Sequence, residues 1–208
     1  MSTQILEAKA RAGLVRRGRR LEYLTIGWNC AEAAVAIGAG LLAGSVALVG
    51  FGFDSVIESL SGAILLWRLF AGEGREKLAL RLVGASFFLL AAYVGFDAAV
   101  SLATRETPEA SRAGIAIAAL SLVVMPVLAR AKRRVAAGLD SRALLADSRQ
   151  TDICAYLSAI LLGGLFLNAA FGWWWADPLA ALTMVPIMVK EGINGLRGET
   201  CCDGGACL

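Results

Sequence analysis

Long apolar runs separated by short polar or basic connections make up most of this 208-residue chain. Six of the runs approach the roughly 20 apolar residues that an α-helix needs to cross a bilayer. They cover residues 21–43, 46–69, 82–102, 113–128, a fifth run from within 143–152 to 168, and a sixth from 179 to 189 that continues toward 196. The pattern predicts an all-α membrane protein with six transmembrane helices.

The basic residues predict how these helices are oriented. Of the 20 Lys and Arg residues, only Arg105 and Arg112 lie in connections on the side away from the two termini. Since Lys and Arg accumulate in cytosolic loops, both termini are predicted to be cytosolic, in a protein of the bacterial cytoplasmic membrane. The chain then divides into a basic tail (residues 1–20), a six-helix transmembrane domain (21–196) and a Cys-rich tail (197–208). We expect the basic tail to contact anionic membrane lipid and not nucleic acid.

Composition supports the membrane assignment and removes several kinds of chemistry. Hydrophobic residues make up 58% of the chain and charged residues only 18%, as is typical of multi-pass membrane proteins. The chain has no histidine, which is the commonest metal ligand and the usual proton carrier near neutral pH. Its five cysteines are an odd number and do not suggest a disulfide framework. Nothing in the sequence points to an enzyme or to a prosthetic group.

Two carboxylates lie inside the second predicted span. Asp54 and Glu58 are four residues apart in a segment that is otherwise mostly apolar. Positions i and i+4 of a helix share one face, so the two acids present a pair of oxygen ligands to whatever lies opposite. Because an ionised acid near the bilayer centre costs about 2.5–3.5 kcal/mol, the pair indicates a cation or proton site. The alternative is a pair that snorkels or satisfies a neighbouring Arg.

The fifth predicted span supplies a second set of polar side chains. Gln150 and Cys154 are again an i, i+4 pair, with Asp147 and Asp152 close by in the sequence. The second helix runs from outside to inside and the fifth runs back, so the two sets are expected to meet at a similar depth. Glu32, in the first span, is a candidate proton carrier or a partner that supports the ligands.

Three segments resemble the cation diffusion facilitator family of metal transporters. SVALVGFGFDSVIE (residues 45–58) is similar to the family's second helix, whose two metal ligands fall on Asp54 and Glu58. ADSRQTDICAYLS (146–158) is similar to the fifth-helix run, with Gln150 and Cys154 at its His and Asp ligand positions. WWADPL (174–179) matches the start of the sixth helix. The likeness covers about residues 20–195, the six-helix part only, without the family's cytosolic C-terminal domain.

The resemblance implies a secondary transporter that exports a divalent transition metal from the cytosol in exchange for protons and works as a homodimer. The ungapped alignment selects Gln150 and Cys154 as fifth-helix ligands, and a one-residue shift selects Asp147 or Asp152 instead. Two carboxylates, a thiolate and an amide oxygen suit a first-row divalent metal better than Mg²⁺ or Ca²⁺. We therefore expect Zn²⁺ as the substrate, and Cd²⁺, Fe²⁺, Co²⁺ and Mn²⁺ stay open as alternatives.

The proton coupling and the C-terminal tail complete the predicted chemistry. Without histidine, the coupled protons are expected on carboxylates or on Cys154, with Asp54, Glu58 and Glu32 as the carboxylate candidates. The tail is interpreted as a metal-capturing segment, and its alternative is a tail with incidental thiols. Its three thiols are Cys201, Cys202 and Cys207. Two other functions stay open: a non-transporting membrane metal-binding or sensor protein, and a small-solute exporter that uses the acids for proton coupling alone.

Overall fold

The hydrophobic runs form helices in the computed structural model, which describes residues 2–71, 76–105 and 107–197. Over these ranges the chain is all-helical and forms six helices, so the predicted fold class is confirmed. They are α1 (Ser2–Ala43), α2 (Val46–Ala71), α3 (Glu76–Thr104), α4 (Arg112–Leu139), α5 (Arg142–Phe171) and α6 (Ala176–Arg197). The helices are longer than the predicted spans, because the basic stretch before residue 21 continues α1 and α4 runs past Pro126 to Leu139.

The surface of the bundle is apolar, and its interior carries the charge. Each of the six helices contains a stretch long and apolar enough to cross a membrane. Large apolar side chains such as Leu89, Phe96 and Val123 point outward, with exposed fractions of 74%, 72% and 66%. Acids such as Asp54 and Glu58 are buried. This inside-out distribution is stable when lipid surrounds the bundle, and it indicates an integral membrane protein.

Helix α2 is the central helix of the bundle. In its most apolar 18-residue stretch 61% of the residues are buried, against 28–39% in the other five helices. It packs against α1, α3, α5 and α6, while the other extensive contacts are α1 with α4, α3 with α6, and α4 and α6 with α5. Glycine permits the close approach of α1 and α2, since a Cβ atom at Gly52 would lie 2.6 Å from Ile37 Cγ1. Polar groups on the inner face of α2 therefore have three or more helices around them.

The start of α2 is fixed by a turn and by a contact with α6. Gly44 ends α1 with a positive φ of 66°, which glycine adopts without strain. Ser45 Oγ accepts the Leu48 N–H at 3.1 Å and donates to Asp177 Oδ1 at 2.5 Å. The Ala47 N–H lies 3.4 Å from Asp177 Oδ2. The acid of the Trp-Ala-Asp-Pro segment thus stabilises the N-terminus of α2 from the first turn of α6.

The interior changes from apolar to polar along the bundle. The half nearer the turn between α1 and α2 is filled by fully buried apolar side chains, including Leu48 and Phe51 of α2, Met125 of α4 and Leu161 of α5. Toward the C-terminal half of α2 and the N-terminal half of α5, buried polar and charged side chains replace them. This second half is the end at which the basic segments lie, and it holds the candidate site.

Candidate cation site

The paired acids of α2 face the interior, as their spacing predicted. Asp54 is 4% exposed and Glu58 2% exposed. Their neighbour Ser55 is fully buried and donates from its hydroxyl to Glu32 Oε2 of α1, at 2.8 Å. The same hydroxyl lies 3.1 Å from the Phe51 carbonyl oxygen, its local helical acceptor. The hydrogen bond brings the acid of α1 to the acids of α2.

Helix α5 adds a thiol to these acids. The Cys154 Sγ atom lies 3.8 Å from Glu32 Oε2, within hydrogen-bonding reach for sulfur. Glu58, Glu32 and Asp54 all act electrostatically on the thiol. We call Glu32, Asp54, Ser55, Glu58 and Cys154 the thiol cluster. It joins α1, α2 and α5 in the interior of the bundle.

The thiol cluster concentrates negative charge. Asp54 interacts electrostatically with Glu58 and Glu32. It also interacts in this way with Glu191 of α6. Carboxylates this close repel one another unless protons or a bound cation neutralise part of their charge. Glu32 Oε1 and Glu58 Oε2 are buried and have no hydrogen-bond partner among the residues that the structure describes. Oxygen atoms in that situation are available to a cation.

A second buried group contains the ammonium of Lys132, on α4. Its Nζ atom lies 3.2 Å from Glu22 Oε2 of α1 and contacts Asp147 Oδ2 of α5. All three side chains are at most 6% exposed. We call Glu22, Lys132 and Asp147 the lysine triad. It is a buried salt bridge in which two acids share one base.

One hydroxyl connects the two groups. Thr151 Oγ1 donates to Glu58 Oε1 at 2.8 Å. The Lys132 Nζ atom lies 3.4 Å from Thr151 Oγ1. A continuous polar path therefore runs from the lysine triad through Thr151 to the thiol cluster. Within the described residues, the two groups together hold five buried carboxylates and one buried ammonium.

The other fifth-helix candidates have their partners outside the thiol cluster. Gln150 Oε1 accepts from Ser61 Oγ at 3.1 Å, beyond Glu58 on α2. Asp147 is paired with Lys132, and Asp152 forms an ion pair with Arg133. Of the predicted ligands on α5, Cys154 is the one that the structure brings to Glu32 and the α2 acids.

Two further points bear on the predicted metal ligands. Over the described ranges, no group of three or more Cys, Asp or Glu side chains is arranged to hold a metal ion. The tail residues Cys201, Cys202 and Cys207 lie outside the described residues. Metal ligation by any of the candidates therefore stays a prediction.

The sequence does not predict the burial of Lys132 and Glu22 or the connecting role of Thr151. Lys132 lies beyond the fourth predicted span, which ends at residue 128, among the basic residues that follow it. A signal for Glu22 was present in the spacing of α1. Glu22, Thr25, Asn29 and Glu32 follow one another at intervals of three, four and three residues, which is one helical face. All four are buried.

The chain is similar to two curated membrane proteins. The uncharacterized transporter sll1263 of Synechocystis sp. is 29% identical over 198 residues, which cover 88% of this chain and 63% of that protein. Transmembrane protein 163 of Xenopus laevis is 26% identical over 180 residues, which cover 84% of this chain and 64% of that protein. The chain thus spans a little under two thirds of the length of either relative. No family model matches the sequence.

These relatives and the six apolar helices support a multi-pass integral membrane protein. The two similar proteins are named as a transporter and as a transmembrane protein. Membership of the cation diffusion facilitator family stays a prediction that rests on the three segments described above.

Proposed function

We propose that this protein is a secondary transporter that moves a divalent transition-metal cation out of the cytosol in exchange for protons, with Zn²⁺ as the principal substrate. The observation that carries the proposal is the excess of buried negative charge. The thiol cluster and the lysine triad together enclose five carboxylates and one ammonium inside a bundle with an apolar surface. Such an excess is stable when mobile cations, either protons or metal ions, neutralise it.

The donors of the thiol cluster favour a transition metal. Carboxylate oxygens from Asp54 and Glu58 and the sulfur of Cys154 combine hard and soft ligands, which Zn²⁺ accepts without a geometric preference from its d electrons. Mg²⁺ and Ca²⁺ require six or more oxygen ligands. Because these side chains do not surround a common point in the structure, binding requires small movements that bring them together around the ion.

Proton exchange follows from the same groups. A metal ion that binds Asp54 and Glu58 takes the place of the protons that neutralise them, and those protons leave on the side from which the metal came. When the site faces the other side, protons return to the carboxylates and the metal departs. Glu32 is the further candidate carrier, since it is buried and is bonded to Ser55.

The direction and the assembly are part of the proposal. The basic segments predict that the polar end of the bundle faces the cytosol, so the acids would be reached from that side. The apolar core around Leu48, Phe51 and Leu161 closes the other half. The resemblance to the cation diffusion facilitator family supports a homodimer in a bacterial cytoplasmic membrane. The name of the Synechocystis relative supports transport as the general activity.

Flux into sealed proteoliposomes tests the proposal. We expect Zn²⁺ uptake, read by an enclosed fluorescent indicator, to increase when the lumen is more acidic than the outside and to acidify the outer medium. A double variant, Asp54→Asn with Glu58→Gln, keeps the side-chain shapes and is the inactive control. Asp97→Asn is a matched Asp→Asn control at a half-buried position on α3, and it is expected to transport normally.

The same assay separates the alternative functions. Zn²⁺ binding without flux at any pH gradient would contradict the proposal and favour a membrane metal-binding or sensor protein. Dissipation of the pH gradient by a small solute, without any metal, would favour the proton-coupled solute exporter. Zn²⁺ flux that is equal in wild type and the double variant would remove the two α2 acids from the mechanism.

A further inference from the structure

The lysine triad surrounds one cationic centre with oxygen atoms from two helices. Glu22 Oε2 of α1 and Asp147 Oδ2 of α5 contact the Lys132 ammonium directly, and Thr151 Oγ1 lies 3.4 Å from it. The ammonium is a compact charge on a flexible four-carbon stem. The oxygen atoms therefore enclose a position that a tethered cation occupies and that the tether allows it to leave.

The two acids offer more oxygen donors than the ammonium uses. Glu22 Oε1 and Asp147 Oδ1 are both buried and have no hydrogen-bond partner within the described part of the chain. Two complete carboxylates and a hydroxyl are hard ligands. They suit a divalent metal ion, which binds more oxygen atoms than the ammonium contacts. The unpartnered oxygens are what a site for such an ion would contain.

We propose that Glu22, Asp147 and the Thr151 hydroxyl form a second cation site, in which the Lys132 ammonium stands in for a hard divalent ion such as Mn²⁺. The site differs from the thiol cluster in its donors, since it has oxygen ligands and no sulfur. It also differs in its resting occupant, which is part of the protein.

The position of this site gives it a role in transport, and this role rests on the proposed function. Glu22 precedes Glu32 by ten residues on α1, which is about 15 Å along the helix axis, so the triad borders the thiol cluster on the side of the basic end and meets it at Thr151. A metal ion approaching from that end reaches the triad before the thiol cluster. It must displace Lys132, and a divalent ion replaces the ammonium at two carboxylates better than a monovalent ion does. Lys132 thus favours divalent over monovalent ions at the first site that an entering ion reaches.

Counting bound ions tests the second site directly. The full chain is purified in detergent, Mn²⁺ is added, and the free ion is measured by its electron paramagnetic resonance signal. At Mn²⁺ concentrations too low to displace the ammonium in the wild type, we expect Lys132→Met to bind one more Mn²⁺ per chain than wild type. The triple variant Glu22→Gln, Lys132→Met and Asp147→Asn should lose the additional ion. Arg133→Met, which removes the next cation on the same helix, should leave the wild-type count unchanged.

Each outcome decides the proposal. A folded Lys132→Met protein with the wild-type count would overturn it, even if the wild type transports Zn²⁺. An additional Mn²⁺ ion in Lys132→Met would support it, even if no flux is found. If Lys132→Met folds only with Mn²⁺ present, the ion replaces the ammonium and the site is supported. If it fails to fold with and without Mn²⁺ while the triple variant folds, the proposal is wrong, because an open site should have taken the ion.

Discussion

The lysine triad and the thiol cluster lie in the same bundle and share the Thr151 hydroxyl, yet their charges are balanced in different ways. In the triad, the ammonium of Lys132 neutralises one of the two acids from within the protein. In the thiol cluster, the structure describes three carboxylates and a thiol with no cationic side chain among them. Lys132 of the triad attracts Glu58 across Thr151, but it is one cation for the five acids of the two groups, so the balance also depends on protons or metal ions.

This difference separates a stable arrangement from an exchangeable one. A buried ion pair holds its members in place, because removal of one partner leaves an uncompensated charge. A buried group of acids without an internal base has no such fixed partner, so it can bind and release protons or metal ions. The comparison predicts that substitutions in the triad act first on stability and that substitutions in the thiol cluster act on transport.

The largest expected effect is on stability, from Lys132→Met in metal-free buffer. The substitution leaves Glu22 and Asp147 buried without a counter-charge, and breaking a buried pair in this way typically costs about 3–5 kcal/mol. The free energy of unfolding in mixed micelles, followed by circular dichroism, measures the loss. The triple variant Glu22→Gln, Lys132→Met and Asp147→Asn should recover most of it, since no charge remains. Equal losses in both variants would show that shape, and not charge, determines the contribution of Lys132.

Asp54→Asn should have the next largest effect, and on transport instead of stability. The amide keeps the shape of the side chain but cannot ionise or exchange a proton, so Zn²⁺ flux should fall at least about 100-fold, or about 2.7 kcal/mol. Insertion and folding should be normal, because one buried acid is removed. Proteoliposome flux and size-exclusion profiles measure the two properties. Flux at the wild-type level would exclude Asp54 from the site.

Much of this comparison was accessible from the sequence. The apolar runs predicted six helices, and their period placed Asp54 and Glu58 on one inner face, where both are buried. An acid in an apolar span carries its own signal, because its burial is costly enough to need a reason. Glu32 was found in the same way, and the structure brings it to Ser55.

The lysine triad was not accessible, for a physical reason. Lys132 lies within a basic run near the end of α4, and charge patterning alone assigns such a run to solvent or headgroups. Its burial depends on α4 continuing to Leu139 and on the contacts of α4 with α1 and α5. The register of α5 was open for the same reason. Asp147, Gln150 and Cys154 lie on one side of the helix and Asp152 on the other, and only packing decides which of them come close to the acids of α2.

Cys154→Ser tests whether the sulfur of the thiol cluster determines which metal ions bind there. Serine replaces a soft sulfur by a weak neutral oxygen, so the affinity for Zn²⁺ and Cd²⁺ should fall about 10-fold, or about 1.4 kcal/mol. The affinity for Mn²⁺ should change much less, because Mn²⁺ prefers oxygen ligands. Calorimetric titration with each metal measures the difference. Cys30→Ser is the matched control, since Cys30 is an exposed free thiol on α1. Equal losses for all three metals would indicate that Cys154 positions the acids and is not a ligand.

The smallest effect is expected from Asp152→Asn, and it tests the alternative register of α5. Asp152 pairs with Arg133 at a position where the two side chains are 28% and 38% exposed. An ion pair of this exposure contributes about 0–1 kcal/mol, so the free energy of unfolding should change little. Zn²⁺ flux should stay within about twofold of wild type, because Asp152 lies with Arg133 and apart from the thiol cluster. A loss of flux comparable to that of Asp54→Asn would instead make Asp152 the ligand on α5. That result would require α5 to turn during transport, since the carboxylate of Asp152 would have to exchange Arg133 for the metal ion.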